Sequence, residues 1–126
     1  MPSPQEYLFT NTHEWLSQKD EFSVIGITDF AQDQLGEIVY VDLPEVGDRF
    51  KAGQPFGEVE SVKSVSELLM PIDASIIEVN EELNDAPDLV NSDCYGDGWL
   101  VKVEYGDVDL SDLLDSDSYD THCSEL

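Results

Sequence analysis

Apolar residues occur along the chain in short runs, separated by glycine, proline and small clusters of polar residues. Short runs rich in Val, Ile, Phe and Tyr are typical of β-strands. The clearest predicted strands are EWL, FSVIGI, EIVYVDLP and GWLVKVEY, the first two joined by the turn-like SQKDE. Breakers at Gly47, Gly53, Pro55, Gly57 and Pro71 divide the middle of the chain into further short strands. This pattern predicts a compact β domain with tight turns.

A few segments carry helical signals instead. Thr28 is a good N-cap and Gly36 is suited to follow a helix, so a short helix is predicted at about 28–35. One helical turn is predicted around 81–83. A C-terminal helix is predicted from three leucines at the i, i+3, i+4 spacing of one buried face: Leu110, Leu113 and Leu114.

The segment VESVKSVSELLM fits either a helix or a hairpin by its apolar spacing alone, because its apolar residues recur every three or four positions. Its valines and serines, however, favour strands and turns over helices. The prediction is therefore a strand, a tight turn and a second strand, with Val62 and Lys63 at the tip.

The charge of the chain is strongly unbalanced, with 29 acidic residues against 5 basic ones and a net charge of -24. A nucleic-acid partner is excluded, because phosphate binding needs clustered Lys and Arg. Docking on an anionic membrane is disfavoured for the same reason, and no apolar run approaches the roughly 18 residues that a membrane span needs. Two interpretations of the acidity remain: a solvated face that keeps the protein soluble and monomeric, or adaptation to a cytoplasm of high salt.

The length of 126 residues corresponds to one domain. We expect a single domain over 1–126, with a core at about 7–119 and an acidic C-terminal helix and tail at about 108–126. The first residues, MPSPQEYLFTNTHEW, show neither a basic start with an apolar stretch nor any Arg. A secretory signal or a mitochondrial transit peptide is therefore not predicted, and the expected location is the cytoplasm of a prokaryote.

Metal and disulfide chemistry is not predicted. Cys94 and Cys123 are expected to be free thiols. With His13 and His122 they give no pair at zinc-ligand spacing. The segment that begins at Asp115 resembles the start of a calcium loop, but it lacks the glycine at its sixth place and the glutamate at its twelfth.

No catalytic constellation is found, so the chain is not expected to be an enzyme. His13 and Glu14 are adjacent and could form an acid–base pair. Neighbours in sequence usually point to different sides, however, so a pair of separate, solvated side chains is expected.

Lys63 is the one basic residue in its surroundings and is predicted to lie on an exposed turn. Two interpretations fit: an ordinary surface lysine, or an attachment point that another enzyme acylates through the amine. The wider sequence favours the second, because the chain resembles the glycine cleavage system H proteins, a family of lipoyl carriers, from about 7 to 119. The matching stretches are THEW at 12–15, VIGIT at 24–28, AQ at 31–32, LGEIV at 35–39, VDLP at 41–44, ESVK at 60–63, LVNS at 89–92 and GW at 98–99.

Some positions distinguish this chain from biotin carriers, and others depart from the usual H-protein pattern. A biotin carrier is expected to show Met on both sides of its lysine, whereas Val62 and Ser64 flank Lys63 here. The H-protein family usually has Gly where Ala74 stands and Pro where Cys94 stands. A turn that required positive φ near Ala74 would be strained without that glycine.

The resemblance implies a mainly β fold: a lipoyl-domain-like barrel-sandwich hybrid with a few short helices, including one at the C-terminus. It implies that lipoate is attached to Lys63 through an amide. The residues implied to form the recognition motif are Glu60, Ser61, Val62 and Ser64. The residues implied to shield the loaded arm are Thr12, Glu14 and Glu67. Carboxylates suit that role because an aminomethyl adduct carries an ammonium group.

The resemblance also implies the partners of a monomeric, non-catalytic carrier. These are a pyridoxal-phosphate glycine decarboxylase, a tetrahydrofolate-dependent aminomethyltransferase, an FAD-containing dihydrolipoyl dehydrogenase and the enzymes that attach lipoate. Two alternatives remain open at this stage. One is a lipoyl-relay protein that donates lipoate to other complexes, and the other is a non-lipoylated interaction module of the same fold.

Overall fold

A computed structural model describes residues 7–18, 22–106, 110 and 113–124. The strands in these ranges are β1 Leu8–Phe9, β2 Glu14–Gln18, β3 Ser23–Ile27, β4 Ile38–Asp42, β5 Arg49–Phe50, β6 Pro55–Ser61, β7 Val65–Leu69, β8 Ala74–Val79 and β9 Val101–Glu104. The helices are α1 Asp29–Leu35, α2 Glu82–Asp85, α3 Leu89–Ser92 and α4 Ser116–Ser124. Residues 19–21 of the predicted SQKDE turn lie outside the described residues.

The strands form two antiparallel sheets. One has six strands in the order β1-β2-β3-β9-β8-β5, and the other has three in the order β4-β6-β7. Side chains from both sheets, such as Ile25 and Val59, are fully buried in one shared core. The predicted fold class is confirmed: two small sheets packed together, a few short helices and a helix at the C-terminal end. In the three-stranded sheet, β6 and β7 form a hairpin whose turn contains Lys63.

Strand β2 is buried on both of its faces. Leu16 points into the core between the sheets, whereas Trp15 points to the opposite side, into a second apolar cluster with Phe9 and Tyr119. The rings of Phe9 and Tyr119 stack at 4.7 Å between centroids, so α4 covers this outer side of the sheet. Burial on both faces explains why β2 contains the consecutive apolar pair Trp15 and Leu16, and β3 the pair Val24 and Ile25, instead of a strict alternation with polar residues.

The helix predicted at about 28–35 is confirmed as α1. The side chain of Thr28 accepts a hydrogen bond from the backbone N–H of Ala31, and Gly36 ends the helix with φ 80°. The predicted turn at 81–83 corresponds to α2, whereas α3 was not predicted. None of the helices in the described part of the chain is long and apolar enough to cross a bilayer.

The C-terminal helix is present, but it begins later than the leucine spacing predicted. Helix α4 starts at Ser116, so Leu110, Leu113 and Leu114 precede it. Leu114 forms a β-bridge with Phe9, and each donates its backbone N–H to the other's carbonyl. All three leucines are partly buried against the apolar clusters, and the bridge to Phe9 holds Leu114 at the sheet edge instead of on a helical face. Residues 108–109, 111–112 and 125–126 of the predicted helix and tail lie outside the described residues.

The turn before β8 needs no glycine. Among the non-glycine residues that the structure describes, His13 is the one with positive φ, at 74°. Asp73 and Ala74 therefore have ordinary backbone conformations, and the missing family glycine causes no backbone strain here.

Gly57 lies on β6, close to the backbone of the neighbouring strand β4, which leaves no room for a side chain. A Cβ at this position would overlap the backbone oxygen of Asp42. We expect Gly57→Ala to lower the free energy of unfolding by about 1–3 kcal/mol, because overpacking a rigid backbone contact forces the strands apart. Gly106→Ala is the matched control, since a Cβ there meets no atom within 4 Å. Urea denaturation of both variants checks this, and equal midpoints would contradict it.

Candidate functional site

The tip of the β6–β7 hairpin is closed by Ser61. The Oγ of this serine accepts hydrogen bonds from the backbone N–H groups of Lys63 and Ser64, at 3.2 and 3.1 Å, and donates to the carbonyl of Ser64 at 3.1 Å. The backbone N–H of Ser61 also donates to Ser64 O, at 2.8 Å. A serine side chain that satisfies backbone groups in this way stabilises a tight turn. The predicted strand–turn–strand arrangement is therefore confirmed, with Val62 and Lys63 exposed at its tip.

The tip is also attached to the body of the protein. The backbone N–H of Val62 donates to the carbonyl of Glu37 at 3.0 Å, just beyond the C-terminal end of α1. The Lys63 side chain lies over Gly36, where a Cβ would be 3.4 Å from Lys63 Cε and 3.7 Å from Nζ. The last carbonyls of a helix carry partial negative charge, so this position favours the ammonium group. Lys63 therefore has a fixed backbone and a side chain that rests on the surface.

The other described lysines have different surroundings. Lys102 Nζ lies 4.8 Å from the ring centroid of Trp99 and 5.4 Å from that of Phe22. It also lies 3.6 Å from a carboxylate oxygen of Glu78. The amine of Lys102 is thus held in place by two aromatic rings and an acid. Lys51 is exposed, but it belongs to a turn at the far end of the same hairpin from Lys63.

The outward face of β7 connects the tip with a buried carboxylate. Val65, Glu67 and Leu69 alternate with the inward-facing Ser66 and Leu68, so the first three share the outward face. At about 3.3 Å per residue, Val65 and Leu69 lie about 13 Å apart along the strand. The backbone N–H of Leu69 is directed at the Oε2 of Glu14, 3.4 Å away.

Glu14 is buried, with 2% of its surface exposed. Its Oε1 accepts hydrogen bonds from the hydroxyls of Thr10, at 2.7 Å, and Thr12. Burial raises the pKa of this carboxyl, and the hydrogen bonds from Thr12, Thr10 and Leu69 oppose that rise. The expectation of a solvated His13–Glu14 pair is therefore wrong for Glu14, because β2 turns its first side chain under the preceding loop.

A groove opens beside this carboxylate. It has a volume of about 370 Å³, and its lining includes Thr10, Thr12 and Leu69, which are the three partners of Glu14. Further lining residues are Asn11, Gly53, Met70, Pro71, Leu113 and Leu114. The groove therefore combines apolar walls with hydroxyl groups and a carboxylate just beneath its floor.

The structure brings some of the predicted site residues together and leaves others apart. Thr12 and Glu14 are in direct contact, and Glu67 is exposed two residues before Leu69. Thr10 and the Leu69 amide were not predicted, because a contact between the loop before β2 and the end of β7 leaves no local pattern. No cluster of three or more His, Cys, Asp or Glu able to hold a metal is found within the described ranges, where Cys94 and Cys123 are free thiols.

His13 faces away from Glu14 and connects the site to α4. Its Nδ1 lies 2.7 Å from the hydroxyl of Tyr119, which also lies 2.6 Å from Oγ1 of Thr28. The imidazole packs beside the rings of Phe30 and His122, at 4.7 and 5.9 Å between centroids. Burial, and then the nearby His122, lower the pKa of His13 below the ordinary 6.5. Burial raises the pKa of Tyr119, so this phenol stays neutral.

We expect stability to depend on pH through His13. Since the folded-state pKa is lowered, the contribution of neutral His13 is present above about pH 6.5 and is lost as pH falls through the folded-state value. His13→Asn should flatten this dependence, because Asn tolerates positive φ but does not titrate. Urea denaturation of both proteins between pH 5 and 8 measures the effect. Parallel curves would show that another group causes it.

Comparison with known proteins finds matches over nearly the full length of the chain. The family model for the Glycine cleavage H-protein matches residues 7–126. The Glycine cleavage system H protein of Anaeromyxobacter sp. (strain K) is 48% identical over 126 residues, covering 99% of this chain and 98% of its own. That of Bacteroides thetaiotaomicron is 47% identical over 120 residues, covering 94% and 95%.

A solved structure is similar over almost the whole fold. The crystal structure of a glycine cleavage system H protein from Mycobacterium marinum has a TM-score of 0.90 and 38% identity, covering 98% of this chain and all of its own. Family model, relatives and fold therefore agree over nearly the full length. The chain belongs to the glycine cleavage H-protein family, whose members are carrier proteins and not enzymes.

Proposed function

We propose that this protein is the lipoyl carrier of a glycine cleavage system, with lipoate attached to Lys63 through an amide. The observation that carries the proposal is the exposed lysine at a hairpin tip that Ser61 and Glu37 hold in place. A rigid, exposed tip presents the amine to a modifying enzyme and then acts as the fixed end of an arm. Lys102, held between aromatic rings, is unsuited to either role.

The residues near Lys63 fit a lipoyl group. The outward face of β7 and the groove beside Leu69 offer apolar surface for its hydrocarbon chain. When bound, lipoate supplies a dithiolane that accepts an aminomethyl group and, as the dithiol, gives up electrons. The side chains of this protein position and protect; they make and break no bond of the substrate.

Glu14 and Thr12 are proposed to shield the cargo at the far end of the arm. An aminomethyl group carries an ammonium, for which a buried carboxylate is a strong hydrogen-bond acceptor. Glu14 is buried although this raises its pKa and makes the ionised form costly. A buried group held at such a cost next to a groove is characteristic of a functional position. Glu67, exposed on the path between the two ends, is proposed to guide the ammonium group.

The proposed partners follow from the cargo. A pyridoxal-phosphate glycine decarboxylase would load the arm, and a tetrahydrofolate-dependent aminomethyltransferase would unload it. An FAD-containing dihydrolipoyl dehydrogenase would reoxidise the dithiol, and lipoate-attaching enzymes would modify Lys63. Tethering the cargo raises its effective concentration at each of these sites.

The test is the mass of the protein isolated from its own organism, with the modified residue mapped by peptide fragmentation. One lipoyl group on Lys63 is expected. The same group on Lys51 or Lys102 would move the site, and an unmodified protein that supports glycine cleavage would overturn the proposal.

A further inference from the structure

Large exposed hydrophobic side chains are concentrated around Lys63. In the described part of the chain, six large hydrophobic side chains are exposed to solvent. Val46 and Ile77 are two of them and lie elsewhere. The other four, 48–63% exposed, surround the hairpin tip: Val39, Tyr40, Val62 and Val65. Single exposed apolar residues are normal, but a cluster of them indicates a surface that another molecule covers. These four residues are called the tip patch below.

The register of the three-stranded sheet explains the tip patch. Tyr40 pairs with Glu60, and Glu60 pairs with Val65, so the three side chains form a row on the outward face. The register shifts between Ile38 and Tyr40. A regular strand would place Val39 and Tyr40 on opposite faces, whereas this β-bulge exposes both. The bulge therefore turns one extra apolar residue outward, beside the lysine.

The tip patch has an acidic border. The exposed carboxylates around it are Glu37, Asp42, Glu58 and Glu67, and the exposed Glu60 lies within it, between Tyr40 and Val65. Asp42 pairs with Glu58 and Glu58 pairs with Glu67, so like charges face each other across the strands. This arrangement destabilises the isolated sheet. A partner with basic residues around an apolar centre would relieve that repulsion while it covers the patch.

We propose that the tip patch is the docking surface for the enzyme that attaches lipoate to Lys63, and that this enzyme presents an apolar surface bordered by Lys or Arg. The inference rests on the proposed function. In the attachment step the amine itself must reach the activated lipoyl group. The distance from the protein surface to the activated lipoyl group is then spanned by the lysine side chain alone, so residues next to Lys63 necessarily contact the enzyme. Later partners are reached through the longer, loaded arm.

The attachment step requires a lipoyl group activated as an acyl adenylate or thioester. The neutral amine of Lys63 attacks the acyl carbon, and a C–N bond forms. The bond to the adenylate or thiol breaks, and the leaving group takes its electron pair. The nitrogen loses a proton to solvent. The tip patch does no chemistry in this step; its role is to hold the amine in line with the acyl carbon.

The test compares two double variants of the unmodified protein as substrates for its attaching enzyme. Tyr40→Thr with Val65→Thr removes apolar side chains from the tip patch, and Val46→Thr with Ile77→Thr removes them elsewhere. Threonine keeps the β-propensity of the strands. We expect the first pair to lower kcat/KM for lipoylation roughly tenfold or more, chiefly through KM, because aromatic anchors dominate docking energy. The second pair should resemble wild type.

Further variants separate docking from folding. Val62→Ser changes the tip patch in the turn, outside the strands, and should also raise KM. Tyr40→Phe keeps the ring and should lower kcat/KM much less than the Tyr40→Thr, Val65→Thr pair does. Equal kcat/KM for patch and control variants would overturn the inference, as would a wild-type dimer that the patch variant dissociates without any change in lipoylation. A wild type that its attaching enzyme leaves unmodified would instead refute the proposed function.

Discussion

Lys63→Arg is expected to abolish lipoylation and glycine cleavage while leaving the fold intact. Arginine keeps the charge and the long apolar stem, so the exposed tip should lose no more than about 0.5 kcal/mol of stability. The guanidinium stays protonated and is a poor nucleophile, so the variant cannot form the amide. Lipoylation of the wild type replaces an ammonium with a neutral amide and makes the net charge of -24 more negative by one.

Mass spectrometry, isoelectric focusing and thermal melting measure these effects together. Lys51→Arg is the matched control, because Lys51 is also exposed and lies in a turn. It should be lipoylated and active as the wild type is. A Lys63→Arg protein that still gains a lipoyl group would place the attachment elsewhere. One that stays unmodified but supports full activity would refute the carrier proposal.

Glu14→Gln is expected to shorten the lifetime of the aminomethyl group on the lipoyl arm about tenfold or more. A charge-assisted hydrogen bond to the ammonium is worth about 1.5–3 kcal/mol, and glutamine removes the charge. Lipoylation itself should proceed normally, since Glu14 lies near the far end of the hairpin from Lys63. The rate at which purified, loaded protein releases formaldehyde and ammonia measures the lifetime.

Stability provides a second measurement on the same variant. The raised pKa of Glu14 means that its ionised form opposes folding: the contribution of this carboxyl to stability is greatest below the ordinary 4.5 and falls as pH rises through the folded-state value. Glu14→Gln should therefore show less loss of stability above pH 4.5.

Glu67→Gln should shorten the lifetime of the aminomethyl cargo as well, whereas Glu58→Gln, on the neighbouring strand, serves as control. If all three variants release formaldehyde and ammonia at the wild-type rate, the shielding roles of Glu14 and Glu67 are excluded.

The β6–β7 hairpin was predicted from its residue types, although the spacing of its apolar residues also fitted a helix. Valine and serine favoured strands and a turn, and Ser61 makes that turn through its own side chain. Helix α1 was predictable for a similar reason: Thr28 caps it through local hydrogen bonds. Local physical chemistry therefore specified both elements that surround Lys63.

Features that depend on distant parts of the chain could not be predicted in this way. The spacing of Leu113 and Leu114 fits a helix, but the backbone of Phe9 offers a β-bridge instead. The buried carboxylate of Glu14 accepts a hydrogen bond from an amide 55 residues away. The bulge at Val39 shows itself only through its pairing with β6. Each outcome is decided by tertiary contacts that override a local pattern.

The firmly held tip also determines how the proposed carrier travels. With the backbone at Lys63 fixed by Ser61 and Glu37, the arm pivots on side-chain torsions alone, and its sweep ends one arm's length from the surface. To pass cargo between two separate enzymes, the whole 14.1 kDa molecule must leave one and collide with the next. Delivery is then a second-order process, limited by encounter and dissociation rates. An abundant carrier held briefly by each enzyme would circulate faster than a scarce one held tightly.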